Sequence, residues 1–195
     1  IEPVVVHTHP GSHAGYYPGA ETIHLKLLFD GSTGRIYGAQ AVGGAGTDKR
    51  IDVLATAMHA GLTAPDLADL PLAYAPPFGS AKDPVNMLGY IAQNLLDGVS
   101  HTMQWHEVEG TDRTIVDVRE PHEFAAGALP GAVNIPLPTL RDHVDELVGR
   151  KVLVNCQVGM RGHTAARVLL DAGIDTVNLD GGYLTWVAGR QSQGA

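Results

Sequence analysis

The single cysteine of this 195-residue chain, Cys156, sits in a setting suited to a nucleophile. It follows Val152-Leu153-Val154-Asn155 and precedes Gln157-Val158-Gly159-Met160-Arg161-Gly162-His163. That order describes a buried-type strand, a short loop with glycines, and a helix. In an open α/β sheet, ligands gather at the C-terminal ends of strands, where this loop falls. Successive backbone N–H groups in a tight loop, with a helix start behind them, aim partial positive charge at the sulfur. Arg161 adds a full charge within reach. Both favour thiolate over thiol, and the thiolate is the nucleophile. The same array would stabilise a persulfide or hold an oxyanion. The competing interpretation is an inert cysteine buried as a small hydrophobe. Its position at a strand end, beside glycines and an arginine, favours chemistry.

These residues need a sheet to hold them, and the second half of the chain has the pattern of one. Strands are expected at residues 114–118, 133–134, 151–155 and 176–179, and helices near 121–126, 139–147, 163–172 and 182–187. The alternation predicts a parallel sheet covered on both faces. The first half differs. Val4-Val5-Val6, residues 22–29 and residues 35–42 have strand character, and Asp30-Gly31-Ser32-Thr33-Gly34 supplies a hairpin turn. Helices are expected at 48–60, where Ile51, Leu54, Ala55 and Met58 recur at spacings of three and four, and at 83–96, with a short helical piece at 66–70. The fold class is therefore α/β: an α+β domain over 1–98, then a doubly wound parallel sheet over 99–195. Residues 99–110 are polar and aperiodic, and a linker is expected there.

A net charge of −8 argues against nucleic-acid or anionic-membrane partners. No apolar run approaches the roughly 18 residues needed to span a bilayer. One cysteine excludes an intrachain disulfide and a cysteine-based zinc site, and fits a reducing, cytoplasmic compartment. The chain opens on Ile1-Glu2-Pro3 without Met or a signal-peptide pattern, which suggests a piece of something longer. His7, His9 and His13 alternate before a Pro-Gly loop and are taken as surface residues, so no metal is expected. Gly43-Gly44-Ala45-Gly46 lacks the Gly-Lys-Ser/Thr of a phosphate cradle and suits a strand-to-helix turn.

Residues 111–190 resemble rhodanese domains in three motifs. Asp117-Val118-Arg119-Glu120-Pro121-His122-Glu123-Phe124, continuing through Gly127-Ala128-Leu129-Pro130-Gly131-Ala132, is similar to the family's first signature. Cys156 to Arg161 resembles its active loop, and Asp180-Gly181-Gly182-Tyr183 with Trp186 its closing signature. The resemblance implies a sulfurtransferase in which Cys156 attacks a sulfane sulfur, carries it as a persulfide and yields it to an acceptor thiol. Arg161 and the amides of Gln157, Val158, Gly159, Met160 and Gly162 would stabilise the anionic sulfur. The Cys-x4-Arg spacing is that of sulfur-transferring members; the tyrosine-phosphatase type has one residue more. Gln157 and Met160 stand where thiosulfate-using loops often carry polar or basic residues. That turns the expected donor from thiosulfate toward polysulfide, glutathione persulfide or CoA persulfide. Asp117 and Arg119 are expected to form a buried pair positioning the loop in preference to touching substrate. His163 is expected at the surface at a helix start, and Trp186 in the core.

The first half carries His13-Ala14-Gly15-Tyr16-Tyr17-Pro18-Gly19-Ala20, Gly38-Ala39-Gln40-Ala41-Val42-Gly43, and Tyr74-Ala75-Pro76-Pro77-Phe78. These segments resemble the C-terminal dimerisation domain of flavin-dependent pyridine nucleotide–disulfide reductases, in the CoA-disulfide reductase and NADH oxidase branch. The whole chain resembles the last two domains of a CoA-disulfide reductase–rhodanese fusion. The resemblance implies a homodimer through residues 1–98. It implies FAD, NAD(P)H and CoA for the parent enzyme, with nucleotide domains earlier in that polypeptide and no cofactor expected in this stretch. Tyr16 and Tyr74 match tyrosines that reach toward the partner's reductase cysteine; interface or core packing is the plainer alternative. A non-catalytic reading stands beside the enzymatic one: a sulfur-binding or scaffolding module joined to an oligomerisation device.

Overall fold

Leu25, Leu27 and Phe29 alternate with His24, Lys26, Leu28 and Asp30 along β2 (His24–Asp30), and this period of two buries the first set. β1 (Pro3–Thr8) and β3 (Ile36–Val42) pair with β2 on either side, both antiparallel. The strand begins two residues later than expected, since Thr22 is taken up by an isolated bridge with Gly11. α1 (Thr47–His59) and α2 (Pro84–Leu96) contribute Leu54, Ala57, Val85, Leu88 and Ala92 to one core with Val6, Leu25, Leu27 and Phe29. α2 starts where local chemistry dictates. The Asp83 side chain accepts from the Val85 N–H (3.1 Å), Asn86 Oδ1 accepts from the Asp83 N–H (3.2 Å), and Pro84 has no donor to satisfy. The short piece before it is a 3-10 turn, Pro65–Asp69.

These data come from a computed structural model that describes residues 3–194, so residues 1, 2 and 195 at the outer ends of the two expected domains lie outside it. The chain divides into two compact units, Ile1–Asp97 and Gly98–Ala195.

In the second unit, five strands form a parallel sheet in the order β4-β8-β7-β5-β6. They are β4 (Thr102–Met103), β5 (Thr114–Asp117), β6 (Val133–Asn134), β7 (Val152–Asn155) and β8 (Thr176–Leu179). Val116, Val152 and Val154 face one layer, with Leu140, Leu147, Ala165, Ala166 and Leu169. Ile115, Leu153, Val177 and Leu179 face the other, with Val108, Leu129 and, half-buried, Trp186. Helices α3 (Pro121–Ala125), α4 (Val144–Leu147) and α5 (Met160–Asp171) lie in the strand connections, and α6 (Gly182–Gln193) follows the last strand. Both faces are covered, as the near-continuous apolar strands require.

Several sequence expectations are corrected. Residues 99–110 are not a linker: Thr102 and Met103 pair in parallel with Asn178 and Leu179, and Trp105–Glu107 forms a 3-10 turn. An edge strand of two residues rests on backbone bonds and leaves no periodicity to read. The helix expected over 139–147 is a 3-10 segment, Leu137–His143, running into the single turn α4, because Pro136 and Pro138 each lack a backbone donor at its start. α6 continues past Val187 to Gln193; Gly189 in its middle lies against the Trp105 ring, where a Cβ would come within 2.3 Å.

Candidate active site

Cys156 emerges at the C-terminal end of β7, the central strand of the five. Gly159, at φ 93°, makes the left-handed turn that ends the loop, and α5 starts at Met160, three residues earlier than the sequence suggests. The loop backbone is gripped from its far side. The Tyr183 N–H donates to the Cys156 carbonyl (2.8 Å) and the Leu184 N–H to the Gln157 carbonyl (3.0 Å), both from the first turn of α6. Asn178 Nδ2 holds the Gly159 carbonyl at 3.0 Å. With these carbonyls turned away, the Gly159 N–H donates to Sγ of Cys156 at 3.2 Å, an interaction that can support negative charge on sulfur.

Close approach of α6 requires Gly182. It has φ 66°, and a Cβ there would stand 2.5 Å from the Cys156 carbonyl oxygen, 2.7 Å from the Gly159 nitrogen and 2.8 Å from the Val158 nitrogen. Cys156 itself is fully buried and packs with the Val116–Val154–Ala165 layer, so a donor reaches Sγ only if the loop yields. Gln157, Val158 and Gly159 are half-buried, Met160 is 66% exposed, and Gly162 is buried in α5 against Asn178.

Asp117 ends β5 and pairs with Arg119; both are buried. Arg119 Nε and Nη2 donate to the carboxylate, with contacts at 3.0 and 2.7 Å, and its backbone N–H adds a third bond at 3.0 Å. Nη1 reaches Gln157 Oε1 (3.2 Å), Nη2 reaches the Gly127 carbonyl (2.6 Å), and the guanidinium lies over the Tyr183 ring at 4.3 Å. Asn155 Nδ2 also donates to Asp117 (3.2 Å). The pair thus ties β5, the loop and α6 together. Removing one member would leave a buried charge, a cost of about 3–5 kcal/mol.

Arg161 lies near enough to feel the Cys156 charge, as the sequence suggests, but its guanidinium is paired with a carboxylate. Its Nη1 and Nη2 donate to the two carboxylate oxygens of Glu123, each at 2.7 Å. Glu123 is itself positioned by accepting from the Glu120 N–H (2.9 Å) in the capping box of α3. The Arg161 hydrogen bonds hold the Glu123 carboxyl down to about 2 against the opposing effect of partial burial, so it is ionised throughout the neutral range. Arg161 is raised in turn, first by Glu123, with the Cys156 charge a lesser contribution.

Glu123 was missed as a site residue, although its place three residues after Glu120 at a helix start is a legible capping signal. Asn178 and the ring of Tyr183 left no such signal. His163 stands at a helix start as expected, in the first turn of α5, but is half-buried and not at the open surface; burial, followed by Arg167, lowers its pKa.

In the first unit, Tyr16 and Tyr74, 58 residues apart, meet through their hydroxyls at 2.5 Å. They are 76% and 48% exposed, which removes core packing as their role within this unit. The hydrogen bond with Tyr74 raises the Tyr16 pKa, with desolvation and the Tyr74 charge adding to it. His9 and His24 approach Nδ1 to Nδ1 at 2.7 Å, and no group of three or more metal-type ligands occurs among the described residues. The glycine run at 43–46 is the turn into α1, with Gly46 at φ 81°. The Glu21 carboxylate lies against Gly44, and Arg50 donates to the Gly46 carbonyl (3.1 Å). No helix of the described residues is long and apolar enough to cross a membrane.

Comparison with known proteins agrees with this division. Residues 2–84 match the pyridine nucleotide-disulphide oxidoreductase dimerisation domain, and residues 101–189 match the rhodanese-like domain. Coenzyme A disulfide reductase of Staphylococcus haemolyticus is 48% identical over 91 residues, which is 47% of this chain and 21% of that protein. The reduced CoADR-RHD of Bacillus anthracis superposes over 98% of this chain and 35% of its own, at 48% identity and a TM-score of 0.95. An NAD-dependent persulfide reductase from A. fulgidus does so over 95% and 34%, at 37% identity and a TM-score of 0.85. The chain spans about a fifth of the curated relative's length and about a third of each solved structure. Its first unit thus matches the pyridine nucleotide-disulphide oxidoreductase dimerisation domain and its second the rhodanese-like domain, and the two together match the CoADR-RHD structure over nearly the whole of this chain.

Proposed function

We propose that the second unit is a sulfurtransferase in which Cys156 carries sulfane sulfur as a persulfide. The observation that carries this reading is the sulfur at a strand end with the Gly159 N–H donating to it, in a loop whose carbonyls are tied elsewhere. The Cys156 thiolate attacks the outer sulfur of R–S–SH; the donor's S–S bond breaks, R–S⁻ leaves, and Cys156–S–SH remains. An acceptor thiolate then attacks the terminal sulfur, a new persulfide departs and the Cys156 thiolate returns. Gly159 supplies a hydrogen bond that strengthens as charge builds on sulfur. Asp117 and Arg119 hold Gln157 and thereby the loop, and Val158, Met160 and Gly162 complete its wall.

Within a longer polypeptide this unit would serve a reductase acting on CoA disulfide or a persulfide, in keeping with the names of its relatives, or on CoA persulfide or polysulfide. FAD and NAD(P)H would belong to that longer enzyme. The described residues do not fit them: the glycine run at 43–46 is filled by Glu21 and Arg50, and the Gly181–Gly182 turn by the backbone of the Cys156 loop, where a pyrophosphate would have to lie. No step is assigned to either. The first unit would pair two copies of the chain, with the exposed Tyr16–Tyr74 couple at or near the interface. A solution mass of one chain at every concentration from about 1 to about 100 μM, a range in which dimers of ordinary affinity assemble, would count against that pairing.

The complete burial of Cys156 favours a second reading, in which the unit binds or scaffolds without turnover. Intact-mass measurement after incubation with glutathione persulfide separates the two. Transfer predicts a gain of one sulfur atom mapped to Cys156 and its loss on adding a thiol acceptor. An unmodified protein supports the scaffold.

A further inference from the structure

Resting on the sulfurtransferase reading, we infer that Glu123 is the residue that selects the sulfur donor: by clamping Arg161 it cancels the site's positive charge and disfavours dianionic donors such as thiosulfate. The argument starts from the charges around the loop. Arg119 is neutralised by Asp117, and Arg161 by Glu123, each through two-pronged contacts. Glu120, one turn away at the start of α3, adds a further negative charge felt by Arg161. The balance beside Cys156 is therefore neutral to negative despite two guanidiniums. Of the two, Arg119 is buried, whereas Arg161 is about one-third exposed and is therefore the guanidinium open to the solvent from which a donor arrives.

Donor chemistry makes that balance selective. Transfer from thiosulfate turns Cys156–S⁻ and S–SO₃²⁻ into Cys156–S–S⁻ and SO₃²⁻, so two negative charges must be brought beside the sulfur and a sulfite dianion released. Transfer from R–S–SH brings in a neutral sulfane group and releases one thiolate. An uncompensated guanidinium would favour the first; a clamped one offers it little, and the Gly159 amide serves both alike. Glu123 acts through Arg161 and touches no reacting atom, so it is a positioning residue. Its own location is set by the capping box of α3, which holds the clamp shut without substrate.

The test compares the full 195-residue chain with its Glu123→Gln variant, using thiosulfate and a small alkyl persulfide that carries no other charge. The amide keeps the shape and removes the compensating charge. The kcat/KM ratio of thiosulfate to alkyl persulfide is expected to rise at least about tenfold in the variant, mainly through a lower KM for thiosulfate, including from an undetectable wild-type rate. A merely structural role would change both donors together, and a ratio within about twofold of wild type overturns the assignment. Wild type alone provides the second measurement, should the variant fold poorly. Its thiosulfate kcat/KM is expected to stay level or rise with inert salt between about 20 and about 300 mM, because the two guanidiniums beside the loop are both paired with carboxylates. A several-fold fall with salt overturns the inference. A wild type inert to both donors overturns the sulfurtransferase reading, and this inference with it; turnover of both with an unchanged ratio overturns only the role of Glu123.

Discussion

A Cys156→Ser protein is expected to lose sulfur transfer by at least about 10³-fold while keeping its fold. The substitution changes one atom. Serine fits the space between Val154 and Ala165, and its oxygen can still accept from the Gly159 N–H, which limits the cost of a buried hydroxyl to about 1–3 kcal/mol. What disappears is the chemistry: at neutral pH an alcohol supplies almost no anion, and an oxygen-bound sulfur is not a persulfide that a thiol can collect. The measurement is the rate of sulfur transfer from glutathione persulfide to an acceptor thiol, with circular dichroism and thermal unfolding as the control. A folded variant within about tenfold of wild type would mean that donor and acceptor exchange sulfur without passing through this residue.

The second large effect is expected from Gly182→Ala, a residue that touches no substrate. Two costs combine. The left-handed φ of 66° strains an alanine by roughly 1 kcal/mol, and the new Cβ meets three backbone atoms of the Cys156 loop at 2.5–2.8 Å. Backbone cannot rotate aside as a flexible side chain can, so α6 and the loop must separate. The Tyr183 and Leu184 N–H bonds to the loop then lengthen or break. Activity is expected to fall by about 10²-fold, since a shift on the order of 1 Å at a reacting group has that effect, and stability by about 2–4 kcal/mol. Gly173→Ala is the control. Gly173 has φ 77° but nothing within 4 Å of its would-be Cβ, so it isolates the strain and leaves the site alone. Equal effects of the two substitutions on turnover would show that the grip of α6 on the loop is not what shapes the site.

These expectations also mark where reading the sequence succeeds. Alternating apolar strands and helical stretches specify a covered parallel sheet because period and burial are local properties of the chain. The strand at Val152–Asn155 followed by Cys156 and Gly159 is legible for the same reason: the glycine needed for a left-handed turn stands beside the nucleophile it serves. The Asp83–Asn86 capping box is equally local, and α2 starts there.

Tertiary structure decided the rest, wherever partners lie far apart in sequence. Arg161 is an arginine beside a cysteine until α3 delivers Glu123, 38 residues earlier, to both of its terminal nitrogens. Tyr16 and Tyr74 carry no mutual signal, yet the folded first unit brings their hydroxyls together at its surface. Residues 102–103 become a strand only because β8 offers an unpaired edge. The chain by itself determined which atoms could react and what scaffold would present them. Long-range pairing decided how much charge those atoms feel, because electrostatic balance is a sum over neighbours that only folding assembles.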